Sequence, residues 1–275
     1  MIYRGAIEMK TRYYKRAFLW ITQLSITLLI FWLKNPKETS SVIKFFFKKT
    51  LAFPRFLNRN VLTEKHSESF KNRLEKVSKL YIKFSSKFNP SDPRSYFILE
   101  DVLSSKSELL YFLVRKLKPG IVLETGVAAG ESTGFILKAM KENKKGQLYS
   151  IDLPFQWYIY GDHELHLDSL PAGKMPGYLV PENLKENWHL ILGNTYDQLP
   201  KLLKVLKTID IFLHDSEHTD KTMMFEYDTT WPFIKKGGLL LSDDVSYTKA
   251  FSTFFKMKKL KNIIFKDLGV ISKNG

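Results

Sequence analysis

Residues 122–133 read V-L-E-T-G-V-A-A-G-E-S-T, and the fold of the chain follows from this stretch. Ile121 to Glu124 is a short apolar run that ends in a carboxylate. Gly126 and Gly130 then bracket a tight turn, and Ser132 and Thr133 open an amphipathic segment. The pattern is a strand, a glycine turn and a helix start. Glycines there permit positive φ and close approach of a ligand to the backbone, and the helix N-terminus offers unpaired N–H groups. Asp152 closes the next apolar run, about twenty residues after Gly130, where dinucleotide folds carry the acid that binds ribose hydroxyls. The dinucleotide fingerprint G-x-G-x-x-G is absent, because Ala128 and Glu131 stand where it needs glycine.

Working outward, the same strand-and-helix rhythm repeats. Ser107–Leu117 reads as a helix ended by Pro119-Gly120 and feeds the organising strand. Ser132–Asn143 is the next helix and Leu148–Asp152 the second strand. Trp188–Leu192 gives a third strand, Asp197–Leu206 a helix, and Ile209–Leu213 a fourth strand that runs into His214-Asp215-Ser216-Glu217-His218. A helix from Asp220 to Phe233 and a Lys236-Gly237-Gly238 turn precede a fifth strand, Leu239–Leu241, ending in Ser242-Asp243-Asp244. Tyr247–Lys258 is helical, and Ile263–Phe265 with Gly269–Ile271 forms a closing hairpin. Strands separated by helices imply an α/β, Rossmann-like, doubly wound and mostly parallel sheet with that antiparallel hairpin at its C-terminal end. Glu124, Asp152, Gly193, Asp215 and Asp243 all fall at C-terminal strand ends, the edge where open α/β sheets bind ligands.

Between the second and third strands, Leu153–Pro181 is a long connection rich in Pro, Gly and aromatic residues, as lids and binding loops are. His163 and His166 stand in it as H-E-L-H, one residue short of the zinc-binding H-E-x-x-H, so they are read as pocket-lining or solvent-facing.

The formal net charge of +15 is unevenly spread. Residues 1–95 hold 20 Lys and Arg against 6 Asp and Glu, whereas residues 96–275 hold 23 against 22, with Arg115 as their one arginine. A nearly neutral second part argues against a phosphate-tracking groove and hence against nucleic acid. With no cysteine, disulfides, thiolate metal sites and a cysteine nucleophile are excluded, in keeping with a cytoplasmic protein.

The basicity therefore belongs to a mainly helical N-terminal arm, residues 1–95, with the turn cluster Asn89–Pro93 as its boundary to the domain of residues 96–275. Ala17–Leu33 is uncharged, flanked by Lys15, Arg16 and Lys34 and by aromatic residues, and marginally short for a bilayer. Three readings stay open for it: membrane-embedded, packed on protein, or interfacial. Val42–Leu57 mixes phenylalanines with lysines, which suits either an anionic membrane surface or packing on the main domain. Leu62–Phe88 is an amphipathic helical spacer.

The pattern E-x-G-x-x-x-G with a later acid resembles the class I S-adenosylmethionine-dependent methyltransferases, and Asp215-Ser216-Glu217-His218 resembles the D-x-[DE]-H motif that one subgroup carries after strand four. The resemblance covers Tyr96 to Lys273. It implies that Glu124, Gly126 and Gly130 contact the methionine part of the cofactor, Asp152 the ribose, and Gly193 with Asn194 the adenine edge. Ala128, at a position where the family often has glycine, leaves the geometry of the turn open. The subgroup also resembles metal-dependent O-methyltransferases, which implies a divalent ion such as Mg²⁺ on Asp215, Asp243 and Asp244. His218, with Asp215 beside it, is the candidate general base, and strand alternation points His214 the other way. The implied function is methylation of a small-molecule or glycan hydroxyl, with the arm fixing the chain to a membrane or partner. The alternative is a non-catalytic, membrane-associated binding protein that retains the fold.

Overall fold

The computed structural model describes residues 59–153, 158–160, 164–166, 170 and 174–273, and the expectations for Ala17–Leu33, Val42–Leu57 and His163 lie outside them. Helix α1 (Arg59–Phe84), α2 (Pro93–Glu100) and α3 (Lys106–Leu117) precede strand β1 (Ile121–Thr125). Then follow α4 (Glu131–Asn143), β2 (Gln147–Asp152), β3 (Tyr158–Tyr160), β4 (Glu164–His166) and β5 (Trp188–Leu192). The chain continues with α5 (Thr195–Leu206), β6 (Ile209–His214), α6 (Asp220–Thr230), β7 (Ile234–Ser242), α7 (Ala250–Met257), β8 (Asn262–Phe265) and β9 (Leu268–Ser272).

Seven strands form one sheet in the order β5-β2-β1-β6-β7-β9-β8. β1 pairs parallel with β2 and β6, β2 with β5, and β6 with β7. β9 runs antiparallel to both β7 and β8, so the closing hairpin folds back with its second strand innermost. This is the mostly parallel, doubly wound sheet that the alternation of strands and helices implies.

Side chains of successive strand residues leave opposite faces, so each strand feeds two cores. Val122, Ile211, Leu213, Leu239 and Leu241 pack with α1, α3 and α4. Leu123, Phe212, Leu240 and Ile271 pack with α5, α6 and α7. The strands are buried on both sides, which is why they read as nearly continuous apolar runs.

Two elements differ from the sequence reading. The helix taken as a spacer belongs to the body that runs from Val61 to Gly275. Phe70, Leu74 and Val77 of α1, spaced four and three apart on one helical stripe, are at most 3% exposed in the first core. Phe70 meets Phe135 edge to face at 5.8 Å, in the space left by Gly134, where an added Cβ would come within 2.5 Å of its ring. Arg73 adds hydrogen bonds to Ser105 and Glu131 at 2.8 and 2.9 Å, and Ser78 to Glu142 at 2.8 Å. The turn cluster at Asn89–Pro93 likewise leads straight into α2, with Asp92 accepting from Arg94 N as cap and Pro93 at the first helical position.

The second difference lies in β7, which begins at Ile234 and holds Gly237 and Gly238 inside the strand as an irregularity, with Gly237 at φ +78° and the register against β6 shifted between Ile234 and Leu239. Lys273 continues the ladder: its carbonyl accepts from Gly237 N at 2.8 Å and its N–H donates to Gly238 O at 2.9 Å. Within Leu153–Pro181, β3 and β4 pair antiparallel as a short hairpin of their own.

Candidate active site

The organising turn is built by two features of sequence. Gly126 has φ +83°, and a Cβ on it would lie 1.8 Å from the carbonyl oxygen of Asp215, so the β1 turn passes against the backbone that leaves β6. Only glycine fits such a contact. Gly130, at φ +94°, starts α4 in the same way against Gly177 and Val180. Between them Ala128 adopts φ +47°, the left-handed conformation for which glycine is the usual residue, so the turn keeps its shape without glycine at that position.

Asp152, 5% exposed, holds this turn from β2. Its Oδ2 accepts from Val127 N at 2.9 Å and Ala128 N at 2.8 Å, and its Oδ1 from Leu153 N at 2.6 Å. Gly193 N donates to the Asp152 carbonyl at 2.9 Å, and Asn194 Oδ1 caps α5 by accepting from Tyr196 N at 2.8 Å. These pieces meet in one cleft at the C-terminal edge of the sheet, lined by Gly126, Asp152, Gly193, Asn194, Tyr196 and Glu217 among others. The cleft lies where the strand order departs from β1 in both directions, toward β2 and toward β6, the switch point at which open α/β sheets take ligands.

Glu124 does not reach that cleft. Its side chain is fully buried and accepts from Ser132 Oγ at 2.6 Å, Thr133 Oγ1 at 2.8 Å and Ser150 Oγ at 2.7 Å. Burial pushes its carboxyl up to about 7 against the pull of these three hydroxyls, with the Asp152 charge adding to the rise. Glu124 thus ties β1 to β2 and to the start of α4 from beneath the turn. Gly130 is likewise packed on residues 177 and 180.

The loop after β6 carries the candidate catalytic groups. His218 is 20% exposed, its Nε2 lies 4.0 Å from Asp215 Oδ1, and that nitrogen is buried without a hydrogen-bond partner. Burial, then the neighbouring charge of His214, pushes its imidazole below the ordinary histidine range, so His218 is neutral at physiological pH and free to take a proton. Asp215, 32% exposed, is pushed well above the usual carboxylate range by burial and then by Asp243 and Glu124. His214 turns the other way, as strand alternation requires. It is fully buried, with Nδ1 2.6 Å from Glu226 Oε2, and its ring stands edge to face with that of His218 at 5.3 Å. Glu226 also accepts from Thr125 Oγ1 at 2.5 Å and Ser216 Oγ at 2.8 Å, and despite its burial the charge of His214 and these donors hold its carboxyl below the usual range. Nothing in the sequence around Glu226 marks it; its partners come from three separate elements.

The acids expected to hold a divalent ion do gather at one edge, since β6 and β7 are adjacent and Asp243 N donates to His214 O at 2.8 Å. The group between them, however, is Lys106, the first residue of α3. Its Nζ pairs with Asp243 and lies 2.8 Å from Asp244 Oδ1. Burial works against the ammonium, but its hydrogen bonds to the two aspartates outweigh this and hold it above its ordinary range. Among the described residues no three Asp, Glu or His side chains are grouped to hold a metal ion. The donor set therefore does not fit a divalent cation as it stands. Sequence reasoning missed Lys106 because it lies 138 residues before Asp244 in a helix with no motif.

Residues 123–245 match the model of a family described as a methyltransferase domain. A comparison with curated proteins finds no match. Among solved structures, the O-methyltransferase NovP is 15% identical, with 62% of this chain and 80% of that one covered and a TM-score of 0.50. CalS11, a calicheamicin methyltransferase, is 13% identical over 74% of this chain and 91% of its own, with a TM-score of 0.49. The SAH-bound methyltransferase PaMTH1 of Podospora anserina is 13% identical over 73% and 96%, with a TM-score of 0.46. At such identities the likeness speaks to the fold. Residues 123–245, from the middle of β1 to the acids after β7, are thus similar to a methyltransferase domain, and the fold they belong to is Rossmann-like.

Proposed function

We propose that this chain is an S-adenosylmethionine-dependent methyltransferase that methylates a hydroxyl of a small molecule or glycan. The observation that carries this reading is the convergence of Gly126, Asp152, Gly193 and Asn194 on one cleft at the switch point, with the partnerless Nε2 of His218 in the loop that borders it. When bound, S-adenosylmethionine supplies a methyl on a sulfonium sulfur, which leaves with the electron pair of the broken C–S bond. The chain's own part is to align and to take a proton. Asp152 fixes the turn that the cofactor passes and presents its carboxylate to the ribose hydroxyls. Gly193 and Asn194 border the adenine. His218 Nε2 receives the hydroxyl proton as the acceptor oxygen attacks, with Asp215 beside it in the same loop at 4.0 Å. Holding oxygen, methyl and sulfur in line supplies the entropic share of the acceleration.

Calorimetry with S-adenosylmethionine on the full chain and on Asp152→Ala tests the cofactor half. Loss of charge-assisted hydrogen bonds to the ribose should weaken binding by about 1.5 to 3 kcal/mol per bond, tenfold or more. Equal affinity in both proteins would remove the ribose assignment. Asp152→Asn, which retains one carbonyl acceptor for the turn amides, separates damage to the turn from damage to the ribose contact. Incubation with radiolabelled cofactor and a metabolite extract tests the transfer half: binding without labelled product would favour a protein that keeps the fold for recognition alone.

A further inference from the structure

We propose that Lys106 stands where a divalent ion would stand, so that a resident ammonium balances Asp243 and Asp244 and offers its remaining N–H to the acceptor oxygen. This rests on the methyltransferase reading above. An ammonium has three donors and no acceptor. Two of those donors are engaged by Asp243 and by Asp244 at 2.8 Å. The side chain of Lys106 keeps 31% of its surface exposed, so the third donor can meet a ligand.

The placement is set by the fold. Ser105 accepts from Glu108 N at 3.3 Å and Glu108 reaches back to Ser104 N at 2.6 Å, a box of hydrogen bonds that fixes the first turn of α3. Lys106 leaves from that turn toward the loop after β7. Arg73 Nη2 also bonds Ser105 Oγ at 2.8 Å, which anchors the same turn to α1. Asp244, at φ +49°, adopts the left-handed conformation, and its Oδ1 accepts from the Lys106 ammonium at 2.8 Å. A divalent ion bound by carboxylates needs six or more oxygen ligands, in part from water. Lys106 takes up the space and the charge on which such a shell would close.

The ammonium bears on specificity as well as on charge. A single ammonium donor orients one oxygen and is satisfied by a lone hydroxyl, whereas a divalent ion favours two adjacent oxygens that chelate it. The acceptor class it points to is a substrate with an isolated hydroxyl in place of a vicinal diol or catechol.

Electron paramagnetic resonance of free Mn²⁺, titrated with the full chain, tests this without knowing the acceptor. Wild type and Lys106→Arg should leave the Mn²⁺ signal unchanged up to millimolar ion. Lys106→Ala, or Lys106→Gln where alanine unfolds the chain, should bind one Mn²⁺ at least tenfold more tightly than wild type and lose it on a further Asp243→Asn change. One Mn²⁺ per wild-type chain at micromolar concentration, lost in Asp243→Asn, would overturn the proposal. So would a folded Lys106→Ala or Lys106→Gln that gains no affinity, since the acids would then not form a cation site. Calorimetry of the same wild-type preparation with S-adenosylmethionine keeps the two readings apart, because failure to bind the cofactor sinks the methyltransferase reading and leaves the Mn²⁺ comparison standing.

Discussion

Glu124 shows how one residue can be prominent in sequence and act from below the surface. Its position at the end of the first strand is that of a cofactor contact, yet three hydroxyls enclose it and no part is exposed. That burial has a pH signature. The folded carboxyl sits at about 7 against 4.5 in the unfolded chain, so between these values the native state binds more protons than the unfolded one. Its contribution to stability is therefore complete below pH 4.5 and lost as pH rises through 7, by roughly 3 kcal/mol at 1.36 kcal/mol per unit. Glu124→Gln removes the titration. Chemical denaturation from pH 5 to 8 should show the variant gaining on wild type by about that amount, and parallel curves would mean that the three hydroxyls keep the carboxylate charged. The conservative change isolates Glu124 from Asp215 and His218, which titrate in both proteins.

At the scale of elements, α1 departs furthest from its sequence reading. A charged helix with sparse apolar positions reads as a spacer, but Phe70, Leu74 and Val77 fall on one stripe and each is buried. Burying such side chains contributes roughly 1.5 to 3 kcal/mol apiece. Together that is comparable with the roughly 5 to 15 kcal/mol that keeps a domain folded. A chain beginning at Asn89 should therefore melt at least 10 °C below one beginning at Val61, or aggregate through the uncovered faces of α3 and α4, as differential scanning calorimetry and gel filtration would show. Equal melting temperatures would make α1 a peripheral addition. The strands and the helices α3 to α6 were legible because apolar periodicity, caps and glycine turns agree at each of them. The start of β7 at Ile234, before Gly237 and Gly238, was not, because the bonds that keep this irregular segment in the strand come from Lys273 at the far end of the domain.

For the whole molecule the charge is unevenly spread. Residues 96–275 carry 23 basic against 22 acidic side chains and residues 1–95 carry 20 against 6, although the body that begins at Val61 takes in part of that basic excess, Arg73 among it. Among the described residues no helix is long and apolar enough to cross a membrane, and the uncharged Ala17–Leu33 lies outside them. We propose that the Phe and Lys cluster of residues 44–49 and the apolar stretch before it bring the domain to an anionic membrane surface, at about 1 kcal/mol per basic residue. Flotation with phosphatidylserine vesicles should carry the full chain at low salt and leave behind a chain lacking residues 1–60. Recovery of both in the unbound fraction would assign the arm to packing.

The sequence by itself determined the α/β architecture, the strand ends that bear the candidate site, and the uneven spread of charge along the chain. These are local properties: a period of apolar residues, a glycine at a turn, a carboxylate at the end of a run. Only the tertiary structure decided that Glu124 faces inward, that Asp152 pins the turn, that α1 completes the core, and that Lys106 sits between Asp243 and Asp244. Each of these depends on groups far apart in the chain, as Lys106 and Asp244 are, and the free energy of such contacts is set by burial and distance that no local pattern records.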